Sequence, residues 1–376
     1  MNEFYSVSSL GQVYVPVEYR DAVFSRGGVK LFSQQELHRH DRIFTHIQRG
    51  GIVVVEGSWD DICDVMDYVQ RHKKELTPSK NRSRSRDRSH RDNPKQVRES
   101  ILTQLMCLAD KNGIIQVSPT PDLPYLLELI GEENGANQDL PFLVPVIKVQ
   151  RLNKALEDFY PINALNVSIQ ASENVLAPRS QETIECFQEA IQNLNINSRI
   201  ENPTVAEIGC GSGCLTILAQ QEMEGNVEIY TSDLLAEAVA TTKINVERHL
   251  PNSENIHILE SGDLFDPFPS KQFDIIIFNA PWVVARVRNR SEIAIHDEKQ
   301  QTLERFFKNL PNYLKPDGIL LLGYADASGP KAISNLEKII DESEYICKDI
   351  VKRRVATHRS KKKWEHIQVY IITHTK

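Results

Sequence analysis

The amino-acid sequence predicts an α/β protein whose C-terminal part contains a mostly parallel sheet. From Thr183 onward, short apolar stretches alternate with helical ones, as is typical of parallel strands joined by right-handed crossover helices. The last two apolar stretches, Tyr345–Val351 and His366–Ile372, are separated by a segment without a helical apolar stripe. A hairpin fits this segment better than a crossover, so we expect the last strand to run antiparallel.

Length and composition narrow the possible classes of protein. The chain has 376 residues, of which 25% are charged and 40% hydrophobic, so wholesale disorder and fibrous repeats are excluded and two domains are expected. It has no run of 18 apolar residues and no basic-then-apolar start, which argues against a membrane span and a secretory signal. Six scattered cysteines without a CxxC pair favour reduced thiols in the cytoplasm and argue against a structural zinc site. The net charge of −7 does not favour bulk binding of nucleic acid.

The first 158 residues predict an accessory region of mixed α/β structure. Residues 1–78 form a small unit with a strand at Gly51–Gly57 and a following helix that Asp60 caps. Residues 79–95 carry seven Lys/Arg, two Asp and no apolar residue, which predicts an exposed basic linker or loop. Residues 96–158 complete the region, with helices expected at Val97–Ala109 and Tyr125–Ile130 and strands at Ile114–Val117 and Phe142–Val149. Nothing in this region indicates a chemistry.

Residues 159–376 form the predicted parallel-sheet domain. Its strands are expected at Thr204–Ile208, Glu228–Ser232, Ile256–Glu260, Phe273–Phe278 and Gly318–Gly323. Its helices are expected at Thr183–Leu194, Cys214–Glu222, Ala236–His249, Gln301–Leu314 and Lys331–Ser343. With the C-terminal hairpin, these elements predict a seven-stranded sheet covered by helices on both faces.

The most informative segment is Val205–Cys214, where a strand leads through a glycine-rich bend into a helix. Gly209, Gly211 and Gly213 permit positive φ and close approach of a ligand, and the helix N-terminus offers free N–H groups. The spacing is GxGxG, whereas a dinucleotide cradle needs GxGxxG, so a pyrophosphate ligand is disfavoured. Glu207 precedes the bend, and a carboxylate there suits a cationic ligand, such as one with an amino group and a sulfonium.

Two further carboxylates follow the next strands. Asp233 ends the second strand and can hold ribose hydroxyls, and Asp263 follows the third strand, where it can accept from an adenine amino group. Each residue alone is more typical of a cap or a turn. At the ends of three consecutive strands, however, Glu207, Asp233 and Asp263 line the crevice where open α/β sheets bind ligands.

The fourth strand ends in Asn279-Ala280-Pro281-Trp282, which completes a family resemblance. The series EIGCGSG, SD, GDLF and NAPW, in this order and spacing, resembles the class I S-adenosylmethionine-dependent methyltransferases. It is similar in particular to the HemK-type release-factor glutamine N-methyltransferases, which carry Asn-Pro-Pro-Tyr at the fourth strand and Leu-Ile-Pro-Arg-Pro-x-Thr-Glu upstream. Phe159-Tyr160 and Val175–Thr183 resemble that upstream approach, so the resemblance covers Phe159 to Lys376. It implies a Rossmann-like class I methyltransferase fold with strand order 3-2-1-4-5-7-6.

The resemblance also implies a cofactor, S-adenosyl-L-methionine, and the residues that bind it: Glu207, Gly209, Cys210, Gly211, Gly213, Asp233, Leu234, Asp263, Leu264 and Asn279. The implied catalytic set is Asn279, Ala280, Pro281 and Trp282, and Arg179 and Trp282 are expected to contact the substrate. In the family, the Asn side chain and the next carbonyl accept hydrogen bonds from the target NH2. No metal is expected.

Three positions depart from the family pattern. Ala280 replaces the first proline of Asn-Pro-Pro-Tyr, Trp282 replaces its tyrosine, and Glu182-Thr183 stands where the family has Thr-Glu. The first two changes keep a backbone carbonyl and an aromatic face, so they bear on the identity of the substrate.

The predicted function is methylation of a planar nitrogen, with a side-chain amide of a protein or peptide as the favoured acceptor. A nucleic-acid base N-methyltransferase, acting on RNA or DNA, is an alternative that the basic runs at Ser79–Lys95 and Lys352–Lys363 support. A small-molecule or natural-product methyltransferase is a second alternative, and an inactive cofactor-binding scaffold subunit is the alternative outside enzymes.

Two smaller features follow the NAPW motif. The triplet His296–Glu298 fits no established metal signature and is interpreted as polarity at the start of a helix. Arg286, Arg288 and Arg290 form either a lip for an anionic or peptide substrate or a solvated loop.

Overall fold

The computed structural model describes residues 4–7, 10–15, 27–75, 101–130, 139–178, 181–196, 199–223, 227–356 and 364–375. The chain divides into two compact units, Met1–Lys154 and Ala155–Lys376. The larger sheets of the chain, one of six strands and one of seven, belong to different units.

A mixed six-stranded sheet forms the N-terminal unit. The strands of this unit are β1 (Phe4–Val7), β2 (Gly11–Tyr14), β3 (Val29–Phe32), β4 (Ile52–Val55), β5 (Gly57–Ser58), β6 (Leu105–Ala109), β7 (Val117–Ser118) and β8 (Phe142–Pro145). Its helices are α1 (His40–Gln48), α2 (Trp59–His72), α3 (Leu126–Leu129) and α4 (Val146–Glu157), which continues past the unit boundary. The sheet order is β1-β2-β8-β6-β4-β3, so strands from both sides of residues 79–95 share one sheet. The basic segment 79–95 itself lies outside the described residues.

Several sequence-based expectations for this unit are wrong. The helix expected over Val97–Ala109 is contradicted at its end, because Leu105–Ala109 is the interior strand β6, buried at all five residues between β4 and β8. A strand buried on both faces is apolar throughout and can imitate helical spacing. For the same reason, the strand expected over Phe142–Val149 is too long: β8 ends at Pro145 and α4 begins at Val146, within the same apolar run.

The remaining differences in this unit are local. The cap of α2 is Ser58, whose hydroxyl accepts from the backbone N–H of Asp61 at 3.5 Å, and Asp60 lies in the first helical turn instead. The strand expected at Ile114–Val117 is reduced to an isolated bridge at Ile115 and the two-residue strand β7.

The second unit contains the seven-stranded sheet. The strands of this unit, of which β11 to β17 form the sheet, are β9 (Tyr160–Ile162), β10 (Val167–Ile169), β11 (Thr204–Ile208), β12 (Glu228–Ser232), β13 (Ile256–Ile258), β14 (Phe273–Asn279), β15 (Leu314–Ala325), β16 (Tyr345–Ala356) and β17 (Trp364–His374). Its helices are α5 (Gln181–Leu194), α6 (Cys214–Glu222), α7 (Ala236–His249), α8 (Gln301–Asn309) and α9 (Pro330–Asp341). The expected helix Gln301–Leu314 is too long, because a short 3-10 turn over Leu310–Asn312 follows α8 and β15 begins at Leu314.

The strand order confirms the expected topology. The sheet runs β13-β12-β11-β14-β15-β17-β16, which is 3-2-1-4-5-7-6 when its strands are counted along the chain. Strands β11 to β15 pair in parallel, and β17 runs antiparallel to both β15 and β16. The C-terminal hairpin is therefore confirmed.

Two apolar clusters cover the two faces of this sheet. One joins α5, α6 and the end of α7 to strand residues such as Val205 and Ile277. The other joins α8 and α9 to residues such as Ile276 and Leu320. Residues that alternate along each strand thus pack into opposite layers. Within the described ranges, no helix is both long and apolar enough to cross a membrane.

Candidate active site

The carboxyl ends of the parallel strands meet at one edge of the sheet, called the carboxyl edge below. Ile208 pairs with Ser232 of β12 on one side and with Phe278 of β14 on the other. The residues that follow these three positions are Gly209, Asp233 and Asn279. The register therefore brings the glycine bend, one carboxylate and the NAPW motif together.

The glycine bend folds tightly between β11 and α6. Gly209, Gly211 and Gly213 all have positive φ, at 76°, 55° and 80°, a conformation that glycine adopts without steric cost. A Cβ at Gly213 would lie 3.1 Å from Cγ2 of Thr242, so α7 packs directly on the bend. A Cβ at Gly211 would meet nothing within 4 Å. The bend is thus closed on the side of α7 and open at Gly211.

Glu207 is a buried carboxyl group with one unused oxygen. Its Oε2 accepts from the hydroxyls of Thr216 and Thr231, the latter at 3.0 Å. Its Oε1 is buried and has no hydrogen-bond partner among the residues that the structure describes. Burial raises the pKa of Glu207 from 4.5 to about 8, although the two threonine hydroxyls act in the opposite direction. An orphaned buried acceptor of this kind is costly unless a donor occupies the site.

Asp233 supports the glycine bend from the neighbouring strand. Its carboxylate accepts from the backbone N–H of Gly211 at 3.0 Å and of Leu235 at 3.0 Å. Burial raises the pKa of Asp233. The adjacent Leu234 is 45% exposed, which is unusual for a leucine beside a buried turn. Asp233 therefore orders the bend, and Leu234 presents an apolar surface at the same edge.

Asp263 and Leu264 follow β13 in a more exposed position. The Asp263 carboxylate is paired with the guanidinium of Arg305 on α8, and both side chains are substantially exposed. Leu264 has a φ of +49° and packs partly against the α8 layer. Arg305 was not foreseen from the sequence, because its contact spans 42 residues.

Asn279 and Ala280 lie beside the start of the glycine bend. Glu207 pairs with Ile277 of β14, and Asn279 lies two residues further along that strand. The side chains of Asn279 and Glu207 are therefore on the same face of the sheet. Among the described residues, none hydrogen-bonds to the Asn279 side chain or to the Ala280 carbonyl, whereas the Ala280 N–H donates to the Gly323 carbonyl at 3.1 Å. The half-buried Asn279 amide and the carbonyl of the buried Ala280 thus have no partner among these residues.

Gly323 of β15 makes room for this arrangement, and the sequence analysis missed it. A Cβ there would lie 2.6 Å from Oδ1 of Asn279 and 2.7 Å from Cζ of Phe187. Only glycine leaves the Asn279 amide in place, since contacts this short do not occur between real side chains. No local pattern in the sequence identifies this role, because it depends on strand pairing.

The rest of the motif continues into a long loop. Pro281 is half-buried and Trp282 packs partly against the α8 layer. The loop that follows is closed by a bridge between Val283 and His296. Arg286, Arg288 and Arg290 are exposed within it. Arg179, the other residue expected at the substrate, lies outside the described residues.

A buried polar network fixes the glycine bend, and it too was missed. Asn245 of α7 donates to the carbonyls of Ser212 and Gln170, both at 2.8 Å. Glu237 of the same helix accepts from Ser172 at 2.8 Å and from the backbone and side chain of Asn174 at 2.9 Å. The available signal was the spacing of Glu237, Thr241 and Asn245, a polar stripe at every fourth residue of a helix that is otherwise rich in alanine and valine.

The cysteines of the glycine bend and the His296–Glu298 triplet lie near the site. Burial raises the pKa of the Cys214 thiol to about 12 and raises the pKa of the Cys210 thiol well above its usual value, so neither thiol is ionised near neutral pH. Asp297, in the middle of the HDE triplet, accepts from the backbone N–H groups of Thr302 and Leu303 and so caps α8. In the part of the chain that the structure describes, no group of His, Cys, Asp and Glu side chains has the arrangement of a metal site.

The site has features that fit a cationic methyl donor. The unpartnered Oε1 of Glu207 is an acceptor for an ammonium group, and the open side of Gly211 leaves space for a ligand chain. Exposed Leu234 offers an apolar surface beside Asp233. The arrangement thus suits a ligand that combines a positive charge with a nucleoside.

The sequence is similar to known methyltransferases. Residues 189–350 match the family model described as the methyltransferase small domain. A release factor glutamine methyltransferase of Rhodopirellula baltica is 31% identical over 182 residues, which are 47% of this chain and 52% of that protein. A second one, of Gloeobacter violaceus, is 24% identical over 48% of this chain and 64% of its own length. A ribosomal protein uL3 glutamine methyltransferase of Burkholderia pseudomallei is 28% identical over 44% of this chain and 59% of its own length.

Each of these matches spans less than two thirds of the relative's own length. The family-model match over residues 189–350 lies within the second unit, which also has the strand order and the glycine bend expected of the fold. The second unit therefore has the class I methyltransferase fold, matches the methyltransferase small domain over residues 189–350, and is similar to the release factor glutamine methyltransferases.

Proposed function

We propose that the chain is an S-adenosylmethionine-dependent N-methyltransferase that methylates a side-chain amide of a protein or peptide. The observation that carries this proposal is that the Asn279 amide and the Ala280 carbonyl, beside the glycine bend, form no hydrogen bond with any residue in the described ranges. The names of the relatives, which specify glutamine in a release factor and in a ribosomal protein, support the choice of acceptor.

At the carboxyl edge, one set of residues is proposed to bind the methyl donor and another the acceptor. When bound, S-adenosylmethionine supplies an electrophilic methyl group on a positively charged sulfur. Glu207 and the glycine bend hold its amino-acid part, Asp233 and Leu234 its ribose, and Asp263 and Leu264 its adenine. These contacts orient the donor, and positioning of two reactants contributes up to about 7–11 kcal/mol to lowering a barrier.

Asn279 and Ala280 act on the acceptor nitrogen. The lone pair of an amide nitrogen is delocalised, so the nitrogen is a poor nucleophile. Two carbonyl oxygens that accept from both of its hydrogens orient the NH2 group and stabilise the positive charge that develops on nitrogen. Trp282 provides an aromatic face for a planar target, and Pro281 restricts the backbone between them. Arg179 is proposed to contact the substrate.

The chain is further proposed to act in the cytoplasm. All six of its cysteines are free thiols in the structure. Several of them are buried beside the glycine bend or in the strand core, where a reducing compartment keeps them unpaired.

Transfer of labelled methyl groups tests the proposed function. The full chain is incubated with tritiated S-adenosylmethionine and a fractionated cell extract, and the labelled fraction is hydrolysed. We expect the label in protein, recovered as N-methylated glutamine or asparagine. Label in nucleosides or in small molecules would contradict the acceptor class, and no label in any fraction, despite calorimetric binding of the donor, would indicate a scaffold instead of an enzyme.

A further inference from the structure

The C-terminal hairpin extends beyond the sheet at the same edge as the active site. Strand β15 ends at Ala325, which pairs with Ile367 of β17. Beyond this point, β16 and β17 continue to pair with each other through Arg354 with His366 and Ala356 with Trp364. The end of the hairpin thus projects past the carboxyl edge, where Asn279 and the glycine bend lie.

The two faces of this projecting hairpin differ in their contacts. On one face, Arg353 forms ion pairs with Glu185 and Glu189 of α5, the second at 2.9 Å. Alternation along the strands places Lys352, Arg354, Trp364 and His366 on the opposite face, where all four side chains are exposed. The first face is therefore held by α5. On the second face His366 is bonded to Asp326 at 2.9 Å, whereas the side chains of Lys352, Arg354 and Trp364 are open to a partner.

The open face combines cations with an aromatic ring. The guanidinium of Arg354 lies over the Trp364 ring, 3.9 Å from its centroid, and Trp364 is still 47% exposed. Neither Lys352 nor Arg354 forms an ion pair with any residue that the structure describes. An exposed tryptophan with unpaired cations beside it is the combination that binds single-stranded nucleic acid, since the ring stacks on a base and the cations contact phosphates.

A second set of cations lies at the same edge. The loop that follows β14 carries Arg286, Arg288 and Arg290, all exposed and none ion-paired within the described ranges. Only β15 separates β14 from β17 in the sheet, a distance of about 10 Å between strand axes. The chain as a whole has a net charge of −7, so this concentration of positive charge is a local feature.

We propose that the open face of the β16–β17 hairpin is a contact surface for single-stranded nucleic acid. A base stacks on the free side of Trp364, and phosphates contact Lys352 and Arg354. The loop arginines lie at the same edge of the sheet and offer further contacts to phosphates. Binding at this surface is independent of which nitrogen is methylated, and a protein acceptor that is itself bound to RNA would be held at the active-site edge by it.

Binding of a labelled oligonucleotide by the full chain tests this proposal. The probe is a fluorescein-labelled 12-nucleotide oligouridylate, and the readouts are fluorescence anisotropy over a salt series and quenching of tryptophan emission. We expect Trp364→Ala to weaken binding by about 5- to 150-fold through loss of one stacked base. Lys352→Gln and Arg354→Gln should each reduce the slope of log K against log salt by about 0.7. Trp364→Phe should retain part of the affinity and lose the quenching.

The matched control removes a cation from the opposite edge of the sheet. Lys271 precedes β14 at its amino end and is paired with Glu228, so Lys271→Gln should leave affinity and salt slope unchanged. Absence of oligouridylate binding, full retention of binding in the hairpin variants, or an equal loss in Lys271→Gln would overturn the proposal. A poly-glutamate peptide that displaced the oligonucleotide at equal charge concentration would assign the face to an acidic protein and overturn it as well.

Discussion

Two groups of polar side chains differ in how they are bonded: one lies where the parallel strands begin, called the amino edge below, and the other lies at the carboxyl edge. At the amino edge, Asp274 accepts from the N–H and hydroxyl of Thr204 at 2.9 and 2.7 Å, and from the ammonium of Lys315 at 2.8 Å. At the carboxyl edge, Glu207 has an oxygen without a donor and the Asn279 amide has no partner among the described residues. A folded chain satisfies the polar groups that serve stability, and those it leaves unsatisfied are candidates for ligand contacts.

Concavity alone does not distinguish the two edges. The amino edge contains a cavity of about 640 Å³ lined by Asn202, Thr204, Gln220, Glu228, Asn252, Glu254 and Asn255. Its lining is already bonded internally, since the Asn255 amide donates to Gln220 and to the Val227 carbonyl at 2.7 and 2.6 Å. The Asn255 amide in this cavity is thus bonded within the fold, unlike Oε1 of Glu207 at the carboxyl edge.

Asn279→Ala should have the largest effect on the rate of methyl transfer. A small effect would contradict the proposed difference between the two edges of the sheet. Loss of one acceptor that binds the developing positive charge should lower the rate of methyl transfer by about 100- to 1000-fold, as for other preorganised hydrogen-bond groups. The affinity for S-adenosylmethionine should change by less than about threefold, because the acceptor side is altered. Single-turnover transfer and calorimetry measure the two quantities. Full turnover in the variant would remove Asn279 from the acceptor site.

The pH dependence of cofactor binding should follow Glu207. Its pKa is about 8 in the free chain because it is buried, and only the carboxylate pairs with an ammonium group. Affinity for S-adenosylmethionine should therefore fall by up to about tenfold for each pH unit from pH 8 to pH 6. Glu207→Gln should abolish the part of this dependence that comes from Glu207. The ligand's own amino group titrates at about 7.7–8.0, and the pH profile of the variant measures that contribution separately. A dependence unchanged in the variant would exclude Glu207 as the ammonium partner.

The same ionisation affects stability in the opposite direction. A carboxyl group whose pKa is raised by folding stabilises the fold at low pH and loses that contribution as the pH rises to about 8. The free energy of unfolding of the ligand-free chain should thus decline between pH 5 and pH 8, and Glu207→Gln should flatten this decline. Urea unfolding across the pH range measures it.

Asp274→Ala should alter stability without altering transfer. Burial acts to raise the pKa of Asp274, but Lys315 and Thr204 hold it below its usual value. Loss of these bonds should lower the free energy of unfolding by about 2 kcal/mol near neutral pH, a figure that allows for the partial exposure of Lys315. The difference from the parent chain should vanish as the pH falls through the pKa of Asp274 in the folded chain. A rate of transfer reduced in proportion to Asn279→Ala would contradict the division between the edges.

The fold of the second unit could be predicted from the sequence because its signals are local. The apolar strands that end at Ile208 and Ser232, and the glycine bend between the first of them and α6, occupy the expected positions within a residue or two. The N-terminal unit was harder, since β6 is an interior strand whose five residues are all buried. Its pattern lacks the alternation that separates a strand from a helix.

The site was predicted to the extent that its residues lie at the ends of strands. Glu207, Asp233 and Asn279 follow from that rule. Gly323 and Asn245 do not, because each acts through a contact with a distant part of the chain: Gly323 leaves room for Asn279, and Asn245 bonds the carbonyl of Ser212. Such roles depend on packing between elements, which a single sequence does not display.

The smallest effect on stability and on cofactor affinity is expected for a substitution of Arg305. The Arg305–Asp263 pair is at the carboxyl edge, yet it resembles the satisfied contacts of the amino edge. Both side chains are exposed, at 50% and 38%, and exposed ion pairs contribute about 0–1 kcal/mol. Arg305→Ala should therefore change the free energy of unfolding by less than about 1 kcal/mol and the affinity for S-adenosylmethionine by less than about threefold. Asp263→Ala should weaken binding more than Arg305→Ala does, because the proposed contact with adenine belongs to the carboxylate. If Arg305→Ala instead destabilised the chain as much as Asp274→Ala, the Asp263 carboxylate would belong with the structural groups, and the adenine contact would have to be assigned elsewhere.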